Sequence, residues 1–262
     1  MKDEFATILS SPRLLELLKE LRGEVEREKL KENLNLSKSH FAQVLKKAEE
    51  LGLVDKRDDK ILVLPKGKTI LKFVDVIERY GRFLEVFGEY LNVYNLDDIP
   101  DWLIERFYEL GDVMVIERKE DFLSPHDEFL ENIASSKEIY GYATVLFDEY
   151  IEFFLEMAEK GKKIDIIVNR EILRRILENY KKEFLRGLRY DNVKFYVSRR
   201  DFKFSFIVTD KYFSISFYFR NGLFDYKRDF VCRSESAKRW GLDLFNYVKS
   251  NADIVDIEKL KG

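Results

Sequence analysis

The chain has one cysteine, Cys232, one glutamine, Gln43, two histidines, His40 and His126, and four prolines. A lone cysteine excludes an internal disulfide and a cysteine-based zinc site. No G-x-G-x-x-G stretch and no P-loop is present, which removes the glycine-rich phosphate cradles. No run of 18 apolar residues occurs, and the first residues hold no secretory apolar stretch, so the expectation is a soluble, cytoplasmic protein without a membrane span. Basic charge is not in excess either. The 46 Lys and Arg face 49 Asp and Glu, for a net charge of −3. Any contact with nucleic acid must therefore come from a local basic patch. What is abundant is charge and aromatic bulk: 36% of the 262 residues are charged, and there are 22 Phe and 14 Tyr. That length suits one or two domains, and the Glu- and Lys-rich, glutamine-poor balance is that of heat-loving organisms.

Residues 11–67 read as a compact helical unit ending in a hairpin. Ser11-Pro12 opens a helix whose Leu14, Leu15, Leu18 and Leu21 mark one apolar face, ending at Arg22-Gly23. A second helix is expected over about 26–34, with Leu30 and Leu34 inward, and a tight turn at Asn35-Leu36. Ser37 caps a third helix with Phe41, Val44, Leu45, Ala48 and Leu51 as its buried stripe and Gly52 at its end. Residues 53–57 and 60–64 flank Asp58-Asp59 and form a β-hairpin. Helix, helix, turn, helix, hairpin is the order of a winged helix-turn-helix.

A long helix follows over about 68–94. Ile70, Phe73, Ile77, Tyr80, Leu84, Phe87 and Leu91 step by three and four, a heptad seam. Leu71, Val74, Val76, Phe83, Val86 and Tyr90 add apolar surface elsewhere on it. Two uses stay open: packing on the chain's own C-terminal domain, or a dimer interface. Asp97-Asp98-Ile99-Pro100 breaks the chain, and a helix is expected from 101 to about 110.

Beyond it, elements alternate. Strands are expected at 113–118, 139–145, 164–168, 193–197, 204–209 and 212–219, and helices at 125–134, 149–160, 171–188 and 234–250. The pair over 204–219, turning at Asp210-Lys211, reads as an antiparallel hairpin. Alternation of this kind implies a partly parallel sheet covered on both faces. The fold class is α/β, α+β overall: an N-terminal winged helix-turn-helix over 1–67, linker and dimerisation helices over 68–111, and a mixed-sheet α/β domain over 112–262.

The third helix offers Ser37, Lys38, Ser39, His40, Gln43, Lys46 and Lys47 outward, and the hairpin offers Lys56, Arg57 and Lys60. Lys binds phosphate or guanine, Gln pairs bidentately with adenine, and Ser serves either. Double-stranded DNA is the partner these types suit. Against it stand Glu24, Glu26, Glu28 and Glu32, placed on the second helix, which repel DNA if they face it.

Residues 36–67, with Leu51-Gly52-Leu53-Val54 and Pro65-Lys66-Gly67-Lys68, resemble archaeal winged-helix regulators. Asp98-Ile99-Pro100-Asp101-Trp102-Leu103, Phe206-Ile207-Val208-Thr209-Asp210, Asn221-Gly222-Leu223-Phe224-Asp225 and the stretch Trp240 to Phe245 resemble one family over nearly the whole chain: regulators of the methanogenesis-regulatory-protein type, a winged helix followed by a family-specific middle domain. More distantly, the chain is similar to sugar-responsive archaeal regulators, which implies a phospholipase-D-like effector domain. Enzymes of that fold use His-x-Lys-x4-Asp. The matching positions here are Lys203, Ser205 and Asp210, so nucleophile and phosphate lysine are both gone. His126-Asp127 reads as a helix entry, with Asp127 suited to the helix dipole, and His126 has no partner that would make it a catalyst. No catalytic residue, cofactor or metal ligand is expected.

The reading is thus a homodimeric transcription regulator with a non-enzymatic sensor domain. Open α/β sheets bind ligands beyond the carboxyl ends of their strands, which singles out Tyr142, Asn169, Asp210, Tyr218, Asp225 and Trp240 for a small-molecule effector. The alternatives are a phosphodiesterase-like hydrolase with a winged-helix targeting module, and a protein-interaction scaffold.

Overall fold

A computed structural model describes residues 2–21, 23–117 and 127–256. The chain divides into two compact units, Met1–Glu78 and Arg79–Gly262. The stretch 68–111 is shared between them: 68–78 lie in the first unit and 79–111 in the second.

The first unit starts with α1 (Lys2–Leu9), which precedes the first expected element, and α2 (Pro12–Glu20). Leu14, Leu17 and Leu18 of α2 are fully buried, while Leu15 is only partly covered. Glu24 and Glu26 were expected on the second helix, itself placed over about 26–34; residues 24–26 lie ahead of the helix that forms. They form instead a short strand, β1 (Glu24–Glu26), antiparallel to the hairpin. Alternation explains it: Val25 packs on the core between two outward glutamates, and the Arg27 amide bonds the Asp59 carbonyl. The helix proper, α3 (Arg27–Asn33), keeps only Glu28 and Glu32 of the four glutamates.

Next come α4 (Lys38–Glu50) and the hairpin β2 (Val54–Arg57) and β3 (Lys60–Val63), giving a three-stranded sheet in the order β1-β3-β2. Asp58 at the hairpin turn has φ 52° and Gly52 after α4 has φ 64°. Both are left-handed positions, the first tolerated by Asp in a two-residue loop and the second supplied by glycine. Phe41, Leu45 and Ala48 of α4 close the core against Leu30 and Ile61.

Helix α5 (Pro65–Phe87) stops seven residues before the expected end. Gly88 follows, a poor helix former, and the chain turns through to Tyr94. Tyr94 is wholly buried, forms an antiparallel bridge with Phe219 and stacks on Phe217 and Phe219. Tertiary packing of one tyrosine outweighs the helical periodicity there. The heptad seam is split: Ile70 and Phe87 are buried, whereas Phe73, Ile77 and Leu84 are 54%, 53% and 49% exposed. The helix expected over 101–110 also divides, into α6 (Asp101–Ile104) and a 3-10 turn at Phe107–Leu110.

The second unit is built on an eight-stranded mixed sheet. Its elements in chain order are β4 (Met114–Glu117), α7 (Asp127–Ser135), β5 (Glu138–Ala143), α8 (Glu149–Glu159), β6 (Lys163–Val168), α9 (Arg170–Asn179), α10 (Lys181–Gly187), β7 (Val193–Ser198), β8 (Phe204–Thr209), β9 (Phe213–Phe217), β10 (Arg228–Cys232), α11 (Glu235–Ser250) and β11 (Ala252–Ile254). The spatial order is β11-β7-β6-β5-β8-β9-β10-β4. β5, β6 and β7 are parallel, and every other pairing is antiparallel. Two strands, β10 and β11, lie outside the expected set, and the helix over 171–188 breaks at Tyr180. Arg118, Pro125 and His126, at the margins of an expected strand and helix, lie outside the described residues.

Period-2 alternation sorts the two faces. On one, Tyr142, Phe204, Phe206, Phe213, Ile215, Phe217 and Phe230 join Trp240, Leu244 and Val248 of α11 in the main core. Gly241 lets α11 approach: a Cβ there would lie 2.5 Å from the Phe213 ring. On the other, Ile139, Ile164, Ile207 and Val231 pack with Met157 and Ala158 of α8.

Candidate nucleic-acid interface and sheet cavities

Helix α4 is set by its cap. Ser37 has extended backbone angles, and its hydroxyl oxygen accepts from the His40 amide at 3.3 Å. One side of α4 is core, so its remaining positions face solvent. Ser37, Lys38, Ser39, His40, Gln43, Lys46 and Lys47 are all exposed, as are Lys56, Arg57 and Lys60 on β2 and β3. Ser39, Gln43 and Lys46 step by four and three along one line of the helix.

Charge on this surface is partly compensated. Lys46 pairs with Glu50 at 3.7 Å, Arg57 with Asp55 at 3.1 Å and Lys60 with Glu24 at 3.5 Å. Exposed pairs of this kind contribute little, about 0–1 kcal/mol, and leave the cations available to a stronger anion. Lys47 and Lys56 enter none of the ion pairs among the described residues. The acidic β1 edge places Glu26 opposite Lys60 in register. Sequence reading put those glutamates on a helix and so missed that they border the hairpin.

The six residues singled out in the second unit do not converge. Asn169 caps α9, its carbonyl oxygen accepting from the Ile172 amide at 2.8 Å. Trp240 is core, its indole N–H donating to the Leu103 carbonyl at 2.9 Å. Asp225 is 4% exposed and accepts from the Tyr94 hydroxyl at 2.5 Å, the Lys227 amide at 2.8 Å and the Arg228 guanidinium at 3.2 Å. Burial first, and the Asp225 carboxylate second, push the Tyr94 phenol well up. Asp210 accepts from the Lys137 amide at 2.8 Å and ties the β8–β9 turn to the start of β5. Burial works to raise its pKa, but the backbone donors of Lys137 and Glu138 hold it below the ordinary carboxylate value. Tyr142 accepts from the Phe202 amide at 3.2 Å. Burial pushes the Tyr218 phenol up, against a bond with the Thr144 side chain. Of the six, only Tyr142 lines either of two cavities beneath α7–α10.

The first cavity, of about 120 Å³, lies where α8, α9 and α10 cover β6 and β7. Among the described residues its lining is apolar, with Ile151, Leu155, Ile166, Ile176 and Phe195 among it, apart from the charged Glu183. The second, of about 100 Å³, sits over β8, β9 and β10. Its floor is polar. Ser205 of β8 is in register with Ser216 of β9, and the Ser216 hydroxyl donates to Asp229 of β10. Ser214 lies one step along the same face, and Ser205 also accepts from the Thr144 amide at 3.0 Å. Phe129, Phe147, Tyr150 and Phe154 supply aromatic walls, and the two cavities share Ala143, Val145, Tyr150, Phe154 and Ile166. The signal for this floor was Ser214 and Ser216 at alternate positions of β9, within the strand expected over 212–219, with the single Asp229 of β10, which was outside the expected strands.

Of the positions matching His-x-Lys-x4-Asp, Ser205 lies on β8, while Lys203 precedes the strand and Asp210 follows it. The Lys203 ammonium lies over the Tyr218 ring, 5.4 Å from its centroid, and its amide bonds Asp98 at 2.9 Å. Ser205 faces the polar cavity, and Asp210 holds the turn. Among the described residues no group of three His, Cys, Asp or Glu is placed to hold a metal ion, and no helix is long and apolar enough to cross a membrane. Burial pushes the Cys232 thiol up to about 12, which leaves it a small apolar side chain of the core.

Residues 122–251 match the family described as "Methanogenesis regulatory protein FilR1, middle domain". The methanogenesis regulatory protein FilR1 of Methanothrix harundinacea (strain 6Ac) is 23% identical over 180 residues, which cover 66% of this chain and 40% of that protein. The chain thus spans less than half the length of this relative. Among solved structures, TrmBL2, an archaeal chromatin protein, aligns with 97% of this chain and 100% of its own at 15% identity and a TM-score of 0.45. Nuc of Salmonella typhimurium, a phospholipase D family member, aligns with 55% of this chain and 97% of its own at 11% identity and a TM-score of 0.40. The second unit, with its mixed sheet and the polar floor of β8–β10, thus carries the middle domain named for the methanogenesis regulatory protein FilR1.

Proposed function

We propose that the protein is a DNA-binding transcription regulator that reads double-stranded DNA with α4 and grips the backbone with the β2–β3 hairpin. The observation that carries this reading is the division of α4: Phe41, Leu45 and Ala48 are buried in a winged-helix core, and every polar residue suited to a groove is exposed. In such a docking, Ser39 and Gln43 face base edges while Lys46, Lys47, Lys56, Arg57 and Lys60 meet phosphates. The regulatory family of the second unit supports the same reading.

The working unit is a homodimer, supported by the half-exposed line Phe73, Ile77 and Leu84 on α5, which is apolar surface that a second copy would cover. A two-fold dimer calls for a palindromic site with half-sites roughly 34 Å apart. Residues 1–67 are the DNA-binding domain, 68–111 link and dimerise, and 112–262 sense an effector without catalysis. Lys203 and Ser205 support the last point, since neither offers an imidazole nucleophile where phospholipase-D-type chemistry needs one.

The test is to enrich genomic fragments on the purified full chain and sequence them. A recurrent palindrome is the expected result. Binding without sequence preference, or no binding at low salt, contradicts a sequence-reading regulator. Phosphodiesterase turnover that co-purifies with the protein and is lost in Asp210→Ala contradicts the non-enzymatic sensor.

A further inference from the structure

The cavity under α8, α9 and α10 is built from matched periodicities. Every second residue of β6 and β7 points to it: Ile164, Ile166 and Val168 on one strand, Val193 and Phe195 on the other. The backbone beneath them is engaged in the parallel β6–β7 ladder. From above, Leu155 and Ala158 of α8 are three residues apart, and Ile172 and Ile176 of α9 are four apart, so each pair shares one helix face. Phe184 of α10 meets Phe195 edge to face, with ring centroids 4.7 Å apart. An apolar cavity of roughly 150 Å³ with aliphatic and aromatic walls stays dry and admits a benzene-sized ring. This one, at about 120 Å³, is close to that size. An unfilled void of this kind is destabilising, because its walls forgo dispersion contacts. Yet three elements each turn a small residue to it: Ala143 from β5, Ala158 from α8 and Gly187 from α10. Gly187 has no backbone reason to be glycine. It is the last residue of α10 and its φ is not positive. A Cβ there would lie 3.7 Å from Leu155 Cδ1, an ordinary van der Waals contact. Glycine also weakens a helix relative to alanine or leucine. What the missing side chain provides is room in the cavity.

We infer that this cavity is a binding site for a small apolar molecule, a six-membered ring or a branched alkyl group of similar size, held by burial of its apolar surface rather than by hydrogen bonds. The site places the ligand under α8–α10, apart from the strand-end residues that the sequence singled out. Its chemistry rests on the packed walls alone, and its regulatory meaning rests on the sensor reading given above.

The probe is toluene, titrated into the full chain without DNA and followed by calorimetry and by NMR of the Ile, Leu and Val methyl groups. Saturable binding is expected below about millimolar concentration, with cross-relaxation from toluene protons to the methyls of Leu155, Ile166 and Ile176. Gly187→Leu should fill the cavity. Toluene affinity should then fall about tenfold or more. The thermal midpoint should stay level or rise, because a void is filled and a helical glycine is replaced. If that variant melts early, the methyl contacts measured on the wild type decide the site. No saturable binding up to the solubility limit of toluene overturns the inference. Contacts confined to methyls elsewhere, such as those of Ile77 and Leu84 on the exposed line of α5, overturn it as well. So does a folded Gly187→Leu that binds toluene as the wild type does. The sensor reading is tested apart, by titrating DNA with toluene at saturation. A constant DNA affinity there overturns that reading for ligands of this cavity, while the cavity itself is decided by the first titration.

Discussion

The two units use their polar residues in opposite ways. In the first, the residues suited to DNA stand exposed on α4 and the hairpin, held by a core that needs none of them. In the second, the polar and aromatic residues at strand ends are consumed by the fold: Asn169 caps a helix, Asp210 pins a turn, Trp240 fills the core and Asp225 neutralises Arg228 beneath Tyr94. A chemically capable residue at the end of a strand is thus as apt to be structural as functional. The partners available to it decide which.

Substitutions break or sharpen this contrast. The largest effect is expected at Asp225→Ala, which leaves the Tyr94 hydroxyl and the Arg228 guanidinium without their shared carboxylate. Breaking a buried pair in this way costs about 3–5 kcal/mol, measured by denaturant unfolding. Asp225→Asn should cost less. A loss under about 1 kcal/mol for Asp225→Ala would mean that the residue is not structural and would return it to the ligand candidates.

Gly241→Ala comes next. Its Cβ would press on the Phe213 ring, and overpacking of this kind costs about 1–3 kcal/mol. Asn169→Ala removes the α9 cap and should cost about 1 kcal/mol, read from the shift in unfolding midpoint. Asp210 gives a smaller, pH-dependent term. Its carboxyl is depressed in the folded state, so its stabilisation is fully present above the unfolded carboxylate value of about 4 and is lost as pH falls through the lower, folded one. Wild type should therefore lose stability relative to Asp210→Asn on acidification below about pH 4. Equal losses in the two proteins would remove the Lys137 and Glu138 amides as its cause.

The smallest stability effects belong to the first unit. Lys47→Ala and Lys56→Ala should move the unfolding free energy by less than about 0.5 kcal/mol, as exposed side chains outside any ion pair usually do.

How much of this was legible in sequence follows the same division. Ser37, Gly52 and the Asp58-Asp59 turn are local signals, and the helix, the left-handed residue and the hairpin stand where those signals put them. What escaped was set by distant partners. Glu24–Glu26 form a strand because Val25 and the β3 edge are there to pair with. The long helix ends at Phe87 because Tyr94 is claimed by residues far along the chain, Phe217 and Phe219. Strand β10 follows a loop and β11, three residues long, follows α11 with only Asn251 between, so neither shows a clear period. The polar floor was visible only as Ser214, Ser216 and Asp229, three residues unremarkable until the register of β8, β9 and β10 lays them side by side.

The central claim is that α4 and the hairpin hold DNA through phosphate contacts made by exposed lysines. Its most direct test is the salt dependence of DNA affinity for wild type and for Lys46→Ala/Lys47→Ala. Each phosphate contact contributes a slope of about −0.9 in log K against log salt. The double variant should bind all sequences more weakly, with a slope shallower by up to about 1.8 and an unchanged unfolding midpoint. A double variant that binds as wild type does, with the same slope, would contradict the account and remove α4 as the element that meets DNA.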